Sequence, residues 1–373
     1  MKKFVKVLLC GLMAMSMVAC ASKPEESTEA APAAEGGEET AEVMKVAILL
    51  PNIGDQSYMD VTAHAEVLLE EAYSDVQVDV IEMGKDEKDW EPANRQAAEA
   101  GYDVIVSGNW QYEGAMLTVA KDYPEIKYVN FDYSDVEANA LENVYAVTYA
   151  SNEIGYLAGV VAAVKSKTGI IGGIGGMDNA GIQQFMTGFL QGASEVNPDI
   201  QVILTYVGSF SDAPKAKEIA ANMIKDGADV IWGCAGGSGN GNFEAVAEAR
   251  AAGEEGIWAV GVDCDQYVSM SAKPELAETI LTSGLKKCDV AIFNAVTAIK
   301  EGNVKWGTAE ILGYTKGGVG LAENDYYKAN MTEEELAKVN ECIAKLESGE
   351  TVVADSLVTP ESYTEYVEKY TKK

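Results

Sequence analysis

Two aspartates, Asp132 and Asp263, each close an apolar run, at 127–131 and 257–262. Three roles fit such carboxylates. They can work as a general acid/base pair, accept hydrogen bonds from ligand hydroxyls or base N–H groups, or cap a following helix. His64 is the sole histidine, and no nucleophile motif accompanies the aspartates. Binding therefore ranks ahead of capping, and capping ahead of catalysis; the chain reads as a binder, not an enzyme. Tyr58, Trp110 and Trp232 lie at or near strand ends. An aromatic there is ordinarily core, and becomes a ligand platform only where a cleft opens beside it. Lys286 and Lys287 are ordinary surface charges unless an aspartate or a polar ligand lies opposite.

Glycine-rich stretches raise and then dismiss a nucleotide fold. Gly172-Gly173-Ile174-Gly175-Gly176 and the loop 236–241 both follow apolar runs. Neither meets the dinucleotide spacing, because Asp178 and Asn242 stand where the third glycine belongs. Neither is a P-loop, since Gly241 is followed by Asn242 rather than lysine. The remaining role is steric: glycine lets backbone approach a ligand. No Cys-x-x-Cys occurs, so neither metal nor cofactor is expected. Cys234, Cys264, Cys288 and Cys342 are buried thiols or disulfide partners, a choice the sequence leaves open.

These residues need elements to hold them. Apolar runs at 45–50, 76–81, 103–107 and 127–131 alternate with helical spacing near 58–73, 90–100 and 112–122. A second series, at 169–174, 200–206, 229–233 and 257–262, repeats the rhythm. Continuous apolar strands between helices imply parallel sheets covered on both faces. Two series imply two doubly wound lobes, with ligand loops at the carboxyl ends of the strands. The helical stretch 151–165 carries Ala158, Gly159 and Ala162 on one face, which allows close packing, and a first crossover is expected near 147–150.

The ends fix the setting. Lys2, Lys3 and Lys6 precede an apolar stretch from Val7 to about Ala19, the pattern of a secretory signal. Met17-Val18-Ala19-Cys20 resembles a bacterial lipobox, which makes Cys20 the expected site of lipidation. Residues 21 to about 42 are, apart from Lys23, Ala, Glu, Pro, Ser, Thr and Gly without hydrophobic period, and read as a tether. The formal charge is −31, and loss of the three signal lysines with no acids leaves −34. Such acidity argues against nucleic acid or a polyanion as partner.

A family resemblance gathers these features. GDQSYMD at 54–60, EIGYLAG at 153–159, IGGM at 174–177, FMTGFLQG at 185–192, VGSFSD at 207–212, AGGSGNG at 235–241, GVDCDQ at 261–266, LTSGLKKCDV at 281–290 and KGGVGL at 316–321 occur in one order. Together they resemble the basic membrane protein family of ABC-transporter substrate-binding lipoproteins, whose best-understood members bind purine nucleosides. The resemblance implies the type I periplasmic-binding-protein fold. Lobe 1 is expected at 43–148 plus 265–307, and lobe 2 at 149–264 plus 308–373, after a signal at 1–19 and a tether at 20–42. It further implies a monomer that delivers a small molecule to a permease and its ATPase. A signalling receptor of the same fold is the alternative use, and a nucleoside hydrolase a third.

The resemblance also assigns roles. Tyr58 and Trp232 match the aromatics that sandwich the base. Asp132 matches the acid that reads the base edge, Asp263 the acid that holds ribose hydroxyls, and Lys286 a lysine near the ribose. Gly236 and Gly237 match a loop whose backbone approaches the sugar. Met59 stands where the family has a base-contacting Asn, and Asp60 is the candidate replacement.

Overall fold

The computed structural model describes residues 43–372. Cys20, the expected signal and the expected tether lie outside the described residues.

Two six-stranded sheets organise the chain. The strands are β1 (Met44–Leu50), β2 (Val76–Glu82), β3 (Val104–Val106), β4 (Lys127–Asn130), β5 (Val144–Tyr149), β6 (Ile170–Gly175), β7 (Gln201–Tyr206), β8 (Val230–Cys234), β9 (Trp258–Asp263), β10 (Ile280–Lys286), β11 (Thr308–Leu312) and β12 (Val319–Leu321). The first sheet runs β11-β5-β4-β3-β1-β2 and the second β12-β10-β9-β8-β6-β7. Every pairing is parallel except β12 against β10. Helices cover both sheets. The expected fold is therefore the one observed, and all eight expected strands are present within a residue or two.

The reason is burial. Val46–Leu50 and Val104–Val106 are fully enclosed, as central strands between two helix layers must be. Among the described residues, no helix is long and apolar enough to cross a membrane.

The division of the chain between lobes departs from expectation in its later part. Strand β10 pairs with β9 in the second sheet, so the chain stays in the second lobe until Lys286, well past residue 265. Strand β11 then joins β5 at the edge of the first sheet, and residues 308–312 belong to the first lobe. Pairing decides the matter. Ile280–Ser283 are buried and need neighbours on both sides, which β9 and β12 supply. The more exposed Thr308–Leu312 suits an edge. Three crossings result, near 150, 287 and 313–318. They lie side by side: the Ala150 amide donates to the Leu312 carbonyl at 3.1 Å, and the Lys287 amide to the Gly318 carbonyl at 3.0 Å.

The second lobe has a tight seam. Helices Ser151–Lys165 and Ala180–Val196 cross with backbone against backbone. A Cβ on Gly155 would overlap the Phe185 carbonyl, and one on Gly188 would overlap the Asn152 carbonyl. Helices Glu333–Ser348 and Glu361–Tyr370 complete the chain. After the last of them, Thr371 bridges Val202 on the outer strand β7, where the Lys372 amide donates to the Val202 carbonyl at 2.8 Å.

The seam yields a measurement. Gly155→Ala gains helix propensity but overlaps an opposing carbonyl, so the helices must separate. Urea unfolding of the mature protein is expected to show a loss of about 1–3 kcal/mol. Equal or higher stability would mean that the crossing relaxes freely.

Candidate ligand site between the lobes

The carboxyl ends of both sheets face one another, and the loops that leave them bring most of the expected residues together. Helix Tyr58–Ala63 follows the loop after β1. Asp55 builds its start: one carboxylate oxygen accepts from the Ser57 and Asp60 amides, the other from the Met59 amide. Asp60 folds back on the loop and accepts from the Gly54 amide at 2.6 Å and the Gln56 amide at 2.8 Å. Both its oxygens thus shape the loop. The Met59 side chain packs half-buried on the first lobe's core.

Tyr58 presents two aspects. The residue as a whole is partly exposed, while its hydroxyl end is buried and donates to Asp132 Oδ2 at 3.0 Å. Burial first, and the Asp132 charge second, hold the phenol well above the ordinary tyrosine value. Asp132 follows β4 and is itself buried. Its Oδ2 also accepts from Lys286 Nζ at 2.8 Å, and its Oδ1 from Thr148 Oγ1 at 2.8 Å. Three of about four acceptor positions are therefore filled by the protein.

Lys286 ends β10 in the second lobe and reaches Asp132 of the first. Only 8% of its side chain and 9% of the Asp132 side chain are exposed. The ammonium lies 5.1–5.4 Å from the ring centres of Phe185, Tyr149 and Tyr58. Burial disfavours its charge, yet Asp132 and Asp263 outweigh that and hold it above the usual lysine value.

Asp263 ends β9 with φ of 70°, in the left-handed region. It is buried, and Ser57 Oγ from the first lobe donates to its Oδ2 at 2.7 Å. Its Oδ1 accepts no hydrogen bond among the described residues. Burial pushes this carboxyl up to about 6, against the opposing pull of Lys286 and Ser57.

Trp232 does not meet its expectation as a ligand platform. It is fully buried in the second lobe, stacked on Phe189 at 5.0 Å, with its indole N–H donating to the Gly261 carbonyl at 3.1 Å. The strand carries it inward, onto helix Ala180–Val196. The partly exposed aromatic on this side is Phe210, in the loop after β7. Its ring lies 6.2 Å from that of Trp110, in the loop after β3 of the first lobe. Sequence reasoning missed Phe210 although it follows a strand end, the same signal that singled out Tyr58. Gly236, with φ of 53°, lies beside Phe210, and a Cβ on Gly237 would stand 3.5 Å from the Asp55 Cβ. The glycine loop thus lets the two lobes meet.

Comparison with known proteins decides the family. The sequence pattern of the family described as ABC transporter substrate-binding protein PnrA-like matches residues 45–349. The chain belongs to this family. Its members are extracytoplasmic binding components of ABC transporters rather than enzymes, which makes a small molecule, a permease and an ATPase its partners. The chain is 32% identical to a CD4+ T-cell-stimulating antigen of Listeria innocua over 72% of its own length and 75% of the relative's. It is 36% identical to the ABC transporter nucleoside-binding protein BmpA of Lactococcus lactis, over 60% and 65%. A solute-binding protein of an Aeropyrum pernix ABC transporter superposes with a TM-score of 0.74 at 26% identity, covering 88% of this chain and 99% of that one.

Among the described residues no cluster of metal-ligating side chains occurs, and Cys234, Cys264, Cys288 and Cys342 are all free thiols.

The Asp263 environment has a pH signature. A carboxyl whose folded pKa exceeds its unfolded value of about 3.9 binds its proton more tightly when folded. Its penalty is absent below about pH 4 and grows as pH rises through about 6. Asp263→Asn removes that penalty. The variant is expected to exceed wild-type stability by on the order of 3 kcal/mol above pH 6, and to match it near pH 4. Thermal melts across that range check this; a difference independent of pH would contradict it.

Proposed function

We propose that this protein captures a nucleoside, a purine nucleoside first, between its two lobes and hands it to its permease. The carrying observation is Asp263: a buried carboxylate, fixed by Ser57 through one oxygen, whose other oxygen accepts no hydrogen bond among the described residues. Ligand hydroxyls are the natural donors for it, and a vicinal pair from ribose suits a carboxylate. Tyr58, whose hydroxyl is anchored on Asp132, is taken as a flat partner for the base. Stacking of this kind contributes about 1–3 kcal/mol per base. For the other face this reading takes Phe210, in the loop after β7, rather than the fully buried Trp232.

The base edge is read differently from the family expectation. Asp132 already serves Tyr58, Lys286 and Thr148, and Met59 offers no amide. Donors therefore dominate that end. Lys286 keeps two protons beyond its bond to Asp132. This supports a purine with an oxo acceptor at position 6, as in inosine or guanosine, over adenosine, which carries an amino donor there. The name of the Lactococcus relative points to the same ligand class. Attachment through a lipid on Cys20 would keep the protein beside its permease, and lobe closure around the ligand would form the shape the permease accepts.

Calorimetric titration of the mature protein with inosine, guanosine, adenosine, cytidine and ribose tests the reading. Inosine or guanosine should bind best. Asp263→Ala should weaken that binding about 10- to 100-fold, the worth of a hydrogen bond to a charged acceptor. Heat with ribose and none with any nucleoside would replace the nucleoside by a sugar.

A further inference from the structure

We infer that Gln266 is a positioning residue that couples lobe closure to the orientation of Asp263. The inference rests on the reading of Asp263 as the ligand-holding carboxylate.

Gln266 begins a short helical turn after β9 and is 1% exposed. Its orientation is fixed by what surrounds it. The Val262 amide donates to its Oε1 at 2.8 Å, so the carboxamide nitrogen faces the other way. That nitrogen donates to the Gln56 carbonyl of the first lobe at 3.0 Å, and lies 3.3 Å from Asn240 Oδ1. One buried amide therefore holds the backbone just before Asp263 and the backbone just before Ser57. Ser57 then donates to Asp263 itself. Gln266, Val262, Asp263, Ser57 and Gln56 thus form a closed ring across the lobe boundary.

Three further observations bear on this ring. The Gln56 carbonyl also receives Ser269 Oγ at 3.2 Å and Cys264 Sγ at 3.4 Å, so three donors of the second lobe converge on one acceptor of the first. Gln56 and Asp263 are the non-glycine residues with positive φ, at 57° and 70°. Such conformations persist where the surroundings over-determine them. Finally, a Cβ on Gly261 would stand 2.6 Å from Gln266 Oε1, so the strand is kept bare for the amide to lie against it. In the open form the Gln56 carbonyl and the Ser57 hydroxyl lose these partners, and the left-handed Asp263 loses its external restraint. Closure and completion of the ligand site are thus one event.

Small-angle scattering of the mature, ligand-free protein tests this without any ligand. Gln266→Glu keeps shape and the acceptor for Val262, but when ionised it turns an acceptor toward the Gln56 carbonyl. When protonated it regains a donor. At about pH 8.5 its radius of gyration should exceed the wild-type value, and at about pH 5, where burial at this position favours the protonated carboxyl, the difference should disappear. Gln266→Leu should be expanded at both. Ser269→Ala, at a less buried position, should expand less than either. For inosine, Gln266→Glu should bind about tenfold more weakly than wild type at the higher pH. Equal radii in all four proteins would overturn the inference. So would an expansion of Gln266→Glu that does not change with pH, because it would reflect packing rather than the donor. Should wild type bind no nucleoside, the nucleoside reading falls while the scattering still decides the role of Gln266.

Discussion

The ion pair between Lys286 and Asp132 is the contact on which the site depends. It joins the last residue of a second-lobe strand to the first lobe, nearly sealed from water. Breaking such a pair by removing one partner costs about 3–5 kcal/mol, because the other charge is left buried. Tyr58 and Thr148 complete the coordination of Asp132, and three aromatic rings enclose the ammonium. The pair fixes the tilt of Tyr58 through its hydroxyl, and hence the plane offered to a flat ligand. It also sets the field in which Asp263 titrates, since Lys286 is the main attraction opposing the burial of that carboxyl.

Around this centre the chain uses backbone where side chains would be too large. The loop 54–57 is shaped by two aspartates of its own and meets glycine on the far side. Helices Ser151–Lys165 and Ala180–Val196 touch through glycine, which leaves little play between them. The three crossings are hydrogen-bonded to one another, so bending at one obliges the others to follow.

Much of this was legible in the residues. Eight strands were readable because buried parallel strands are continuous apolar runs. Strand β10 was not, since Thr282 and Ser283 lie in it fully buried and break the pattern. Strand β11 was not, because an edge strand keeps polar and exposed residues. Both misplaced the later lobe boundaries. Asp132, Asp263, Tyr58 and Lys286 were found from strand ends and family motifs, and the structure brings them together. Trp232 illustrates the limit: position along a strand gives the end but not the face. Its neighbour Gly233 and the stack on Phe189 show which way it turns. Asp60 shows another limit, because loop amides claim a carboxylate that sequence offers to a ligand.

The tail that crosses β7 has a consequence of a different kind. Strand β7 is the outer strand of its sheet, and outer strands invite pairing with a neighbouring molecule. Thr371 and Lys372 lie over it at Val202, and Tyr363 ties the preceding helix to Tyr206 at 2.6 Å. The last helix therefore works as a hem. A protease that clips there would leave the residues between the lobes in place. It would nevertheless bare a strand edge able to pair with a neighbouring molecule.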